Sequence, residues 1–281
     1  MAKTLLSLGH GYSAQALADL LLPMGWTIIG TTRNPDRAAE LARAGIEPLI
    51  WPGTKLPLDR ATHLLSSIAP GEQGDPVLAA HGAEIEAATH LDWVGYLSTT
   101  GIYGDHGGGW VDEDTALTPS TARGRARVAA EAAWQAATPT RLHILRLAGI
   151  YGPGRGPFDR LRAGNAQRII KRGQVFSRIH RDDIGGALLA AMQSSQAHAI
   201  YNLCDDTPAP PQDVIVYAAE LLGIEPPPEI AFAEADLSPM ARSFYSESKR
   251  VQNARIKRAL DWQPLYPDYR SGLRAILEAE G

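Results

Sequence analysis

Short apolar runs alternate with amphipathic stretches along the first half of the chain. Residues 3–8, Lys-Thr-Leu-Leu-Ser-Leu, stop at Gly9, and residues 12–24 follow with their apolar positions at helical spacing. That pattern reads as strand, turn, helix. A second apolar run, 26–32, meets Asn34-Pro35, a helix cap with proline at the first helical position, and the helix continues over 36–44 until Gly45. The alternation goes on through strands at 47–51, 63–68, 92–99 and 142–147, with helices after Pro76 and from about Ser120 to Ala137. Strands separated by helices predict an α/β fold, a doubly wound parallel sheet of Rossmann type with both faces covered.

After residue 150 the texture changes. Gly152-Pro153-Gly154, Gly156-Pro157, a basic segment and the proline-rich stretches 208–211 and 226–228 interrupt the pattern. The expected division is a core at 1–150 and a smaller substrate-side lobe at 151–281 that returns strands and helices to the core. No internal repeat and no low-complexity segment appears.

Gly9-His10-Gly11-Tyr12-Ser13-Ala14 fits G-x-G-x-x-G/A between a predicted strand and a predicted helix. The first glycine makes the tight turn, the second lets backbone approach a pyrophosphate, and the small sixth residue lets the helix pack closely; the helix N-terminus then offers free N–H groups to the phosphates. The alternative is a glycine-rich turn with a structural role alone. At the end of the second strand stand Thr31-Thr32-Arg33, with no carboxylate to hold a ribose 2′-hydroxyl. A guanidinium pairs with a 2′-phosphate, so the cofactor expected is NADP(H) over NAD(H), unless Arg33 is simply solvated. The expected cofactor set is Gly9, Gly11, Tyr12, Ser13, Ala14, Thr32, Arg33, Ala69, Ser98 and Arg127.

Further along stand Leu97-Ser98-Thr99-Thr100-Gly101-Ile102-Tyr103-Gly104, Arg146-Leu147-Ala148-Gly149-Ile150-Tyr151-Gly152-Pro153-Gly154, Ile179-His180-Arg181-Asp182-Asp183-Ile184 and Leu260-Asp261-Trp262-Gln263-Pro264-Leu265-Tyr266. With the glycine turn, these segments make the chain resemble the extended, atypical short-chain dehydrogenase/reductase superfamily, the NAD-dependent epimerase/dehydratase type, over nearly its whole length. Its flavour is that of the bacterial YeeZ-like proteins. The resemblance implies a catalytic Ser or Thr, a Tyr, and a Lys four residues after the Tyr. Thr99 matches the first. The Tyr-Gly-x-Ser/Ala-Lys segment falls on Arg123-Gly124-Arg125-Ala126-Arg127, so arginine replaces both Tyr and Lys.

A guanidinium does not exchange protons at working pH, so Arg123 is not the family's tyrosine in another form. Arg127 keeps the capacity to donate to ribose hydroxyls, and Arg123 shares its helix face at i, i+4. Two fixed positive charges there favour NADPH over NADP⁺ and favour an anionic group on the substrate. The competing reading pairs the arginines with Asp112, Glu113 or Asp114. Any surviving proton transfer falls to His180, Tyr103 or His106, with His180 the strongest of the three, although Asp182 or Asp183 there also reads as a helix cap. Phe176 stands where nucleotide-sugar enzymes carry an arginine four residues before the His, and Arg178 lies two residues from it on the same strand face. Residues 246–250 read either as a lid or as a surface turn.

Composition narrows the rest. The chain has 281 residues, 44% apolar and 21% charged, with a net charge of −4, which argues against a general nucleic-acid binder. Of 27 basic residues 22 are arginine, and those between Arg155 and Arg181 form either a solvated face or a cationic wall around an anionic substrate. Neither a membrane-spanning run nor a signal segment is read from Met1-Ala2-Lys3 onward, which places the protein in the cytoplasm. With one cysteine, Cys204, read as a half-buried structural thiol, no intrachain disulfide and no zinc cluster are expected. The partners expected are a small anionic substrate and a second copy as homodimer. Two functions fit: an enzyme with catalytic set Thr99, Arg123, Arg127 and His180, or an NADPH-sensing binding module without turnover.

Overall fold

A computed structural model describes residues 3–138 and 141–280; Met1 and Ala2, where the absent signal segment was read, lie outside the described residues. The strands are β1 (Thr4–Leu8), β2 (Thr27–Thr32), β3 (Glu47–Ile50), β4 (His63–Ser66), β5 (Trp93–Thr99), β6 (Trp110–Val111), β7 (Leu142–Leu147), β8 (Gly149–Tyr151), β9 (Arg168–Ile170), β10 (Arg178–His180), β11 (His198–Leu203), β12 (Glu229–Ala231) and β13 (Arg250–Val251). The helices are α1 (Tyr12–Leu21), α2 (Pro35–Arg43), α3 (Pro76–Ala87), α4 (Ala122–Ala137), α5 (Phe158–Arg162), α6 (Arg181–Gln193), α7 (Pro211–Leu222), α8 (Pro239–Phe244), α9 (Ala254–Leu260) and α10 (Tyr269–Glu280). None of the helices among the described residues is long and apolar enough to cross a membrane.

Seven strands form one sheet in the order β11-β7-β5-β4-β1-β2-β3. β1 pairs in parallel with β2 and β4, β2 with β3, and β4 with β5. This is the Rossmann-type α/β sheet, and its order reverses between β1 and β4, where such sheets open a crevice at their carboxyl ends. Contacts divide the chain into two compact units: residues 1–99, 122–146 and 184–201 form the first, and 100–121, 147–183 and 202–281 the second.

In the first unit, β1, β4, β5 and β7 are buried almost throughout, which is why their sequences run apolar instead of alternating. Leu6, Leu64, Val94, Tyr96, Trp134 and Ile144 are among the residues of its core. Helix starts are capped as the sequence suggests. The Asn34 side chain accepts from the Asp36 N–H, and Asp75 accepts from the N–H groups of Val77 and Leu78. Several buried polar rings share this unit. Trp26 meets His63 edge-on with ring centroids 4.7 Å apart, and Trp93 Nε1 donates to His143 Nδ1 at 3.1 Å. His143 Nε2 in turn donates to the Gln196 carbonyl at 3.0 Å.

The second unit builds a separate core around Tyr151, Phe158, Leu161, Ala218, Tyr269 and Leu273. Short parallel pairs, β8 with β10, β9 with β12 and β6 with β13, hold its loops. Residues 246–250 are a clasp, neither lid nor plain surface turn. The Ser248 N–H donates to Asp105 at 2.7 Å, its carbonyl accepts from the N–H groups of His106 and Gly108, and Lys249 Nζ donates to the Gly104 carbonyl at 2.7 Å. Cys204 is fully buried, not half-buried, and its thiol donates to the Val251 carbonyl.

Burial pushes the pKa values of His10 and His63 down from 6.5 to about 4, and that of His143 down as well. These rings are neutral in the fold and take protons more readily once it unfolds. Folding stability is therefore fully present above pH 6.5, falls as pH drops from 6.5 towards about 4, and levels off below that. Urea denaturation at pH 7.5 and pH 4.5 should show a loss on the order of 2 kcal/mol per ring, discounted for partial hydration. Equal stability at the two pH values would contradict the buried neutral state.

Candidate functional site

The turn after β1 is the most constrained piece of the first unit's carboxyl edge. Gly9 has φ +73°, and a Cβ there would stand 2.6 Å from Ile68 Cγ1, so neither conformation nor space favours a side chain. Its N–H donates to Thr31 Oγ1 at 2.7 Å, and the His10 N–H donates to the Thr31 carbonyl at 2.9 Å. The His10 ring lies beneath, with Nδ1 3.0 Å from Ser7 Oγ and Nε2 3.3 Å from Gln15 Oε1. A Cβ on Gly30 would approach His10 Cβ to 3.1 Å, so β2 is bare where the histidine passes. Gly11 is the N-cap of α1 and makes no side-chain cap bond, so the positive end of the helix faces the turn without a capping side chain from that residue.

The parallel registers pair Leu8 with Ser66 and Ser66 with Tyr96, so β1 and β4 end at a common level and β5 runs three residues further, to Thr99. At and just beyond these strand ends the hydroxyls of Ser66, Ser67 and Ser98 are buried and, among the described residues, have no hydrogen-bond partner. Such groups are costly to leave unmade, and a ligand with polar edges would satisfy them. Ser13 and Ala14 are buried, Tyr12 is half-buried, and Ala69 is exposed just beyond Ile68. At the end of β2, Thr31 is buried beneath the turn. Thr32 Oγ1 accepts from the Asn34 N–H at 3.2 Å, and Arg33 is exposed.

Thr99 closes β5 and is half-buried. Beside it Arg127, on α4, donates from one terminal nitrogen to the Leu97 carbonyl at 2.6 Å and to Tyr96 Oη at 3.0 Å. Its guanidinium also sits over the Tyr96 ring, 5.6 Å from the centroid. Tyr96 stacks on Trp134 at 5.6 Å, and Trp134 Nε1 donates to Asp75 Oδ2 at 2.9 Å. Burial pushes the Tyr96 phenol up to about 12, so it keeps its proton at neutral pH. Glu131, one turn further along α4, forms a buried two-point pair with Arg146 on β7. Arg123 and Arg125 are exposed.

The remaining candidates lie in the second unit. His180 is 2% exposed; its Nδ1 accepts from the Asp182 N–H at 3.2 Å, and its ring packs 4.2 Å from Tyr266 and 5.1 Å from Tyr151. Burial holds its pKa below the usual value. His180 itself caps the start of α6, which corrects the assignment of that role to Asp182 or Asp183. Asp183 instead accepts from the N–H groups of Leu265 and Tyr266. The Tyr103 hydroxyl is fully buried and donates to Asn202 Oδ1 at 2.7 Å, and His106 Nε2 donates to the Tyr103 carbonyl. Arg162, Arg168 and Arg181 pair with Glu280, Glu229 and Asp182, so these members of the basic segment face carboxylates. Arg255 takes both Glu113 and Asp114, two of the carboxylates considered for Arg123 and Arg127. Sequence reading missed the Tyr96–Trp134–Asp75 chain, of which only the Asp75-Pro76 cap carries a local signal.

No protein-family model matches the chain. The YeeZ protein of Escherichia coli K12 is 28% identical over 277 residues, 92% of this chain and 95% of the relative. A solved structure of a functionally unknown conserved protein from Silicibacter pomeroyi DSS is 58% identical, with a TM-score of 0.96 over 99% of both chains. A candidate NAD-dependent epimerase/dehydratase from Methylobacillus flagellatus is 28% identical, with a TM-score of 0.75 over 99% of this chain and 98% of that one. Over nearly its whole length the chain is thus similar to a protein described as an NAD-dependent epimerase/dehydratase, a likeness that accords with the resemblance carried by the sequence motifs. Human epimerase family protein SDR39U1, solved with NADPH, shares the fold at 19% identity and a TM-score of 0.73 over 98% of this chain and 99% of that one.

In this chain the Arg127 side chain braces the end of β5. Arg127→Met keeps its bulk but leaves the Leu97 carbonyl and the Tyr96 hydroxyl without a donor. The expected cost is about 2–3 kcal/mol, read as a lower urea midpoint at unchanged slope. A change below about 0.5 kcal/mol would mean the brace carries no load.

Proposed function

We propose that this chain binds NADP(H) in preference to NAD(H) and acts as an oxidoreductase on a small anionic carbonyl or hydroxyl compound. The observation that carries the reading is the Gly9–Gly11 turn, with no room for a Cβ at Gly9, an uncapped α1 N-terminus and unpartnered hydroxyls of Ser66, Ser67 and Ser98. Gly9, Gly11, Tyr12, Ser13 and Ala14 hold the pyrophosphate, Ala69 borders it, and Ser98 meets the nicotinamide side. Thr32 and the exposed Arg33 take the 2′-phosphate, where the chain has no carboxylate to repel it. When bound, the reduced nicotinamide supplies a hydride. Thr99 orients the substrate oxygen, Arg123 attracts its anionic group, and the nitrogens of Arg127 not committed to Leu97 and Tyr96 serve the ribose hydroxyls. The NADPH in the SDR39U1 complex supports the phosphorylated cofactor.

Calorimetry with NADPH, NADH and NADP⁺ tests this directly. NADPH should bind at least about tenfold tighter than NADH, and Arg33→Ala should remove most of that difference. NADPH should also outbind NADP⁺, with the margin narrowed by Arg123→Ala. Equal affinities for NADPH and NADH would refute the assignment.

A second reading, an NADPH-sensing module, is favoured by one observation. The Tyr96 and Tyr103 hydroxyls are both buried and engaged, and His180 is spent as a helix cap, so all three of these groups are committed to structural contacts. On the enzyme reading, a panel of carbonyl acids oxidises NADPH, and Thr99→Val lowers the rate by roughly 10²-fold or more. Partner capture that depends on NADPH, with no turnover across the panel, would establish the sensor instead.

A further inference from the structure

The second unit carries a cleft of about 250 Å³ lined by Trp110, Asp205, Asp206, Val251, Asn253 and Ala254, among others. Its construction follows from the pairing of β6 with β13, which sets Arg250 opposite Trp110 and Val251 opposite Val111. The Trp110 indole is 54% exposed, an unusual position for so large an apolar surface. Val251 and Ala254 add apolar surface beside it.

The two aspartates of the cleft differ. Asp206 is satisfied: Asn253 Nδ2 donates to it at 2.7 Å and Lys257 Nζ at 2.6 Å. Asp205 is 1% exposed, and neither of its carboxylate oxygens completes a hydrogen bond among the described residues. Arg178 on β10 favours its charge, while one terminal nitrogen of that guanidinium donates to the carbonyls of Phe176 and Ala209. The N–H groups of Thr207 and Arg178 also favour the anion, yet burial outweighs all of these and pushes Asp205 up to about 8. An acid left in this state within a lined cleft is a site waiting for a donor. Among the described residues no group of three His, Cys, Asp or Glu side chains could hold a metal ion, which leaves an organic donor.

We propose that this cleft binds a small organic cation, a primary or secondary amine whose ammonium pairs with Asp205 and whose apolar body lies against Trp110, Val251 and Ala254. An aromatic wall beside a buried carboxylate is the combination that recognises alkylammonium groups. On binding, the ammonium keeps its protons and Asp205 releases one to solvent, so the pair forms as the neutral acid ionises. The charged and titratable groups around Asp205 are Arg178 on β10, Tyr151 on β8, and the adjacent Cys204 and Asp206; Asp206 is already matched to Lys257 on α9. The inference stands apart from the proposed oxidoreductase activity, and either can fail alone.

The test uses the full chain with 2-phenylethylamine as probe and 2-phenylethanol as its neutral counterpart, at pH 7. Millimolar amine should raise Tm by a few degrees while the alcohol leaves it unchanged. Calorimetry in phosphate and in Tris should show close to one proton released per amine bound. Trp110→Ala and Asp205→Asn should each weaken the amine at least about tenfold. If Asp205→Asn fails to fold, the exposed Trp110→Ala carries the comparison. Equal binding of amine and alcohol, no Tm shift with either, or undiminished amine binding in both variants would overturn the proposal.

Discussion

The clamp that Thr31 and Ile68 place on the Gly9–His10 turn is the constraint on which the first unit's carboxyl edge depends. Two short hydrogen bonds to one threonine fix the direction in which the chain leaves β1, and Ile68 fills the space a Cβ would need. A helix start offers useful N–H groups only if it is aimed, and α1 begins two residues after this clamp. Because β4 ends in register with β1 and β5 runs on beside them, the buried hydroxyls of Ser66, Ser67 and Ser98 lie close to this fixed point along the strands. The cradle is therefore built from backbone and small hydroxyls, with little dependence on long side chains and their rotamer freedom.

Arg127 shows what a guanidinium does at the end of a strand that an ammonium could not. A lysine ammonium is a compact point charge, whereas a guanidinium is a planar fork able to bind two acceptors from one nitrogen and stack on a ring. Here the fork holds the Leu97 carbonyl and the Tyr96 hydroxyl and lies over the Tyr96 face. That ring continues through Trp134 to Asp75, which also caps α3. The chain of contacts ties α4 and α3 to the end of β5 through buried groups, where each lost partner costs more than at the surface. The positive charge at Arg127 thus comes with a rigid mounting, which favours holding a ligand over moving protons.

Much of this was legible in the sequence, for identifiable reasons. Buried parallel strands read as apolar runs, and the caps at Asn34 and Asp75 and the turn at Gly9 have local signatures, so the sheet and the glycine turn at its carboxyl edge could be placed from neighbours in the chain. The family assignment rested on motifs spread along the whole length, and the comparisons support it. What stayed hidden depends on distant partners. The clasp at 246–250 is made by residues more than a hundred positions away, such as Asp105 and Gly104, and local pattern carries no trace of them. His180 was a candidate base because the resemblance places it where a substrate pocket is lined; in space its ring packs against Tyr151 and Tyr266 while its Nδ1 accepts the Asp182 N–H at the start of α6.

Buried groups left without partners sort into two chemically distinct kinds, and the distinction bears on what each unit is built to receive. A serine hydroxyl is neutral, rotates freely and both donates and accepts, so Ser66, Ser67 and Ser98 accommodate many polar edges at modest cost when nothing is bound. A carboxyl group is far more demanding, because burial penalises its anion and a neutral acid has a single proton to give. Asp205 escapes the penalty by holding that proton near neutrality, a state that any strong donor entering its cleft would reverse. The hydroxyls of the first unit suit a large ligand recognised by many weak contacts. The acid of the second unit suits a small one recognised by charge.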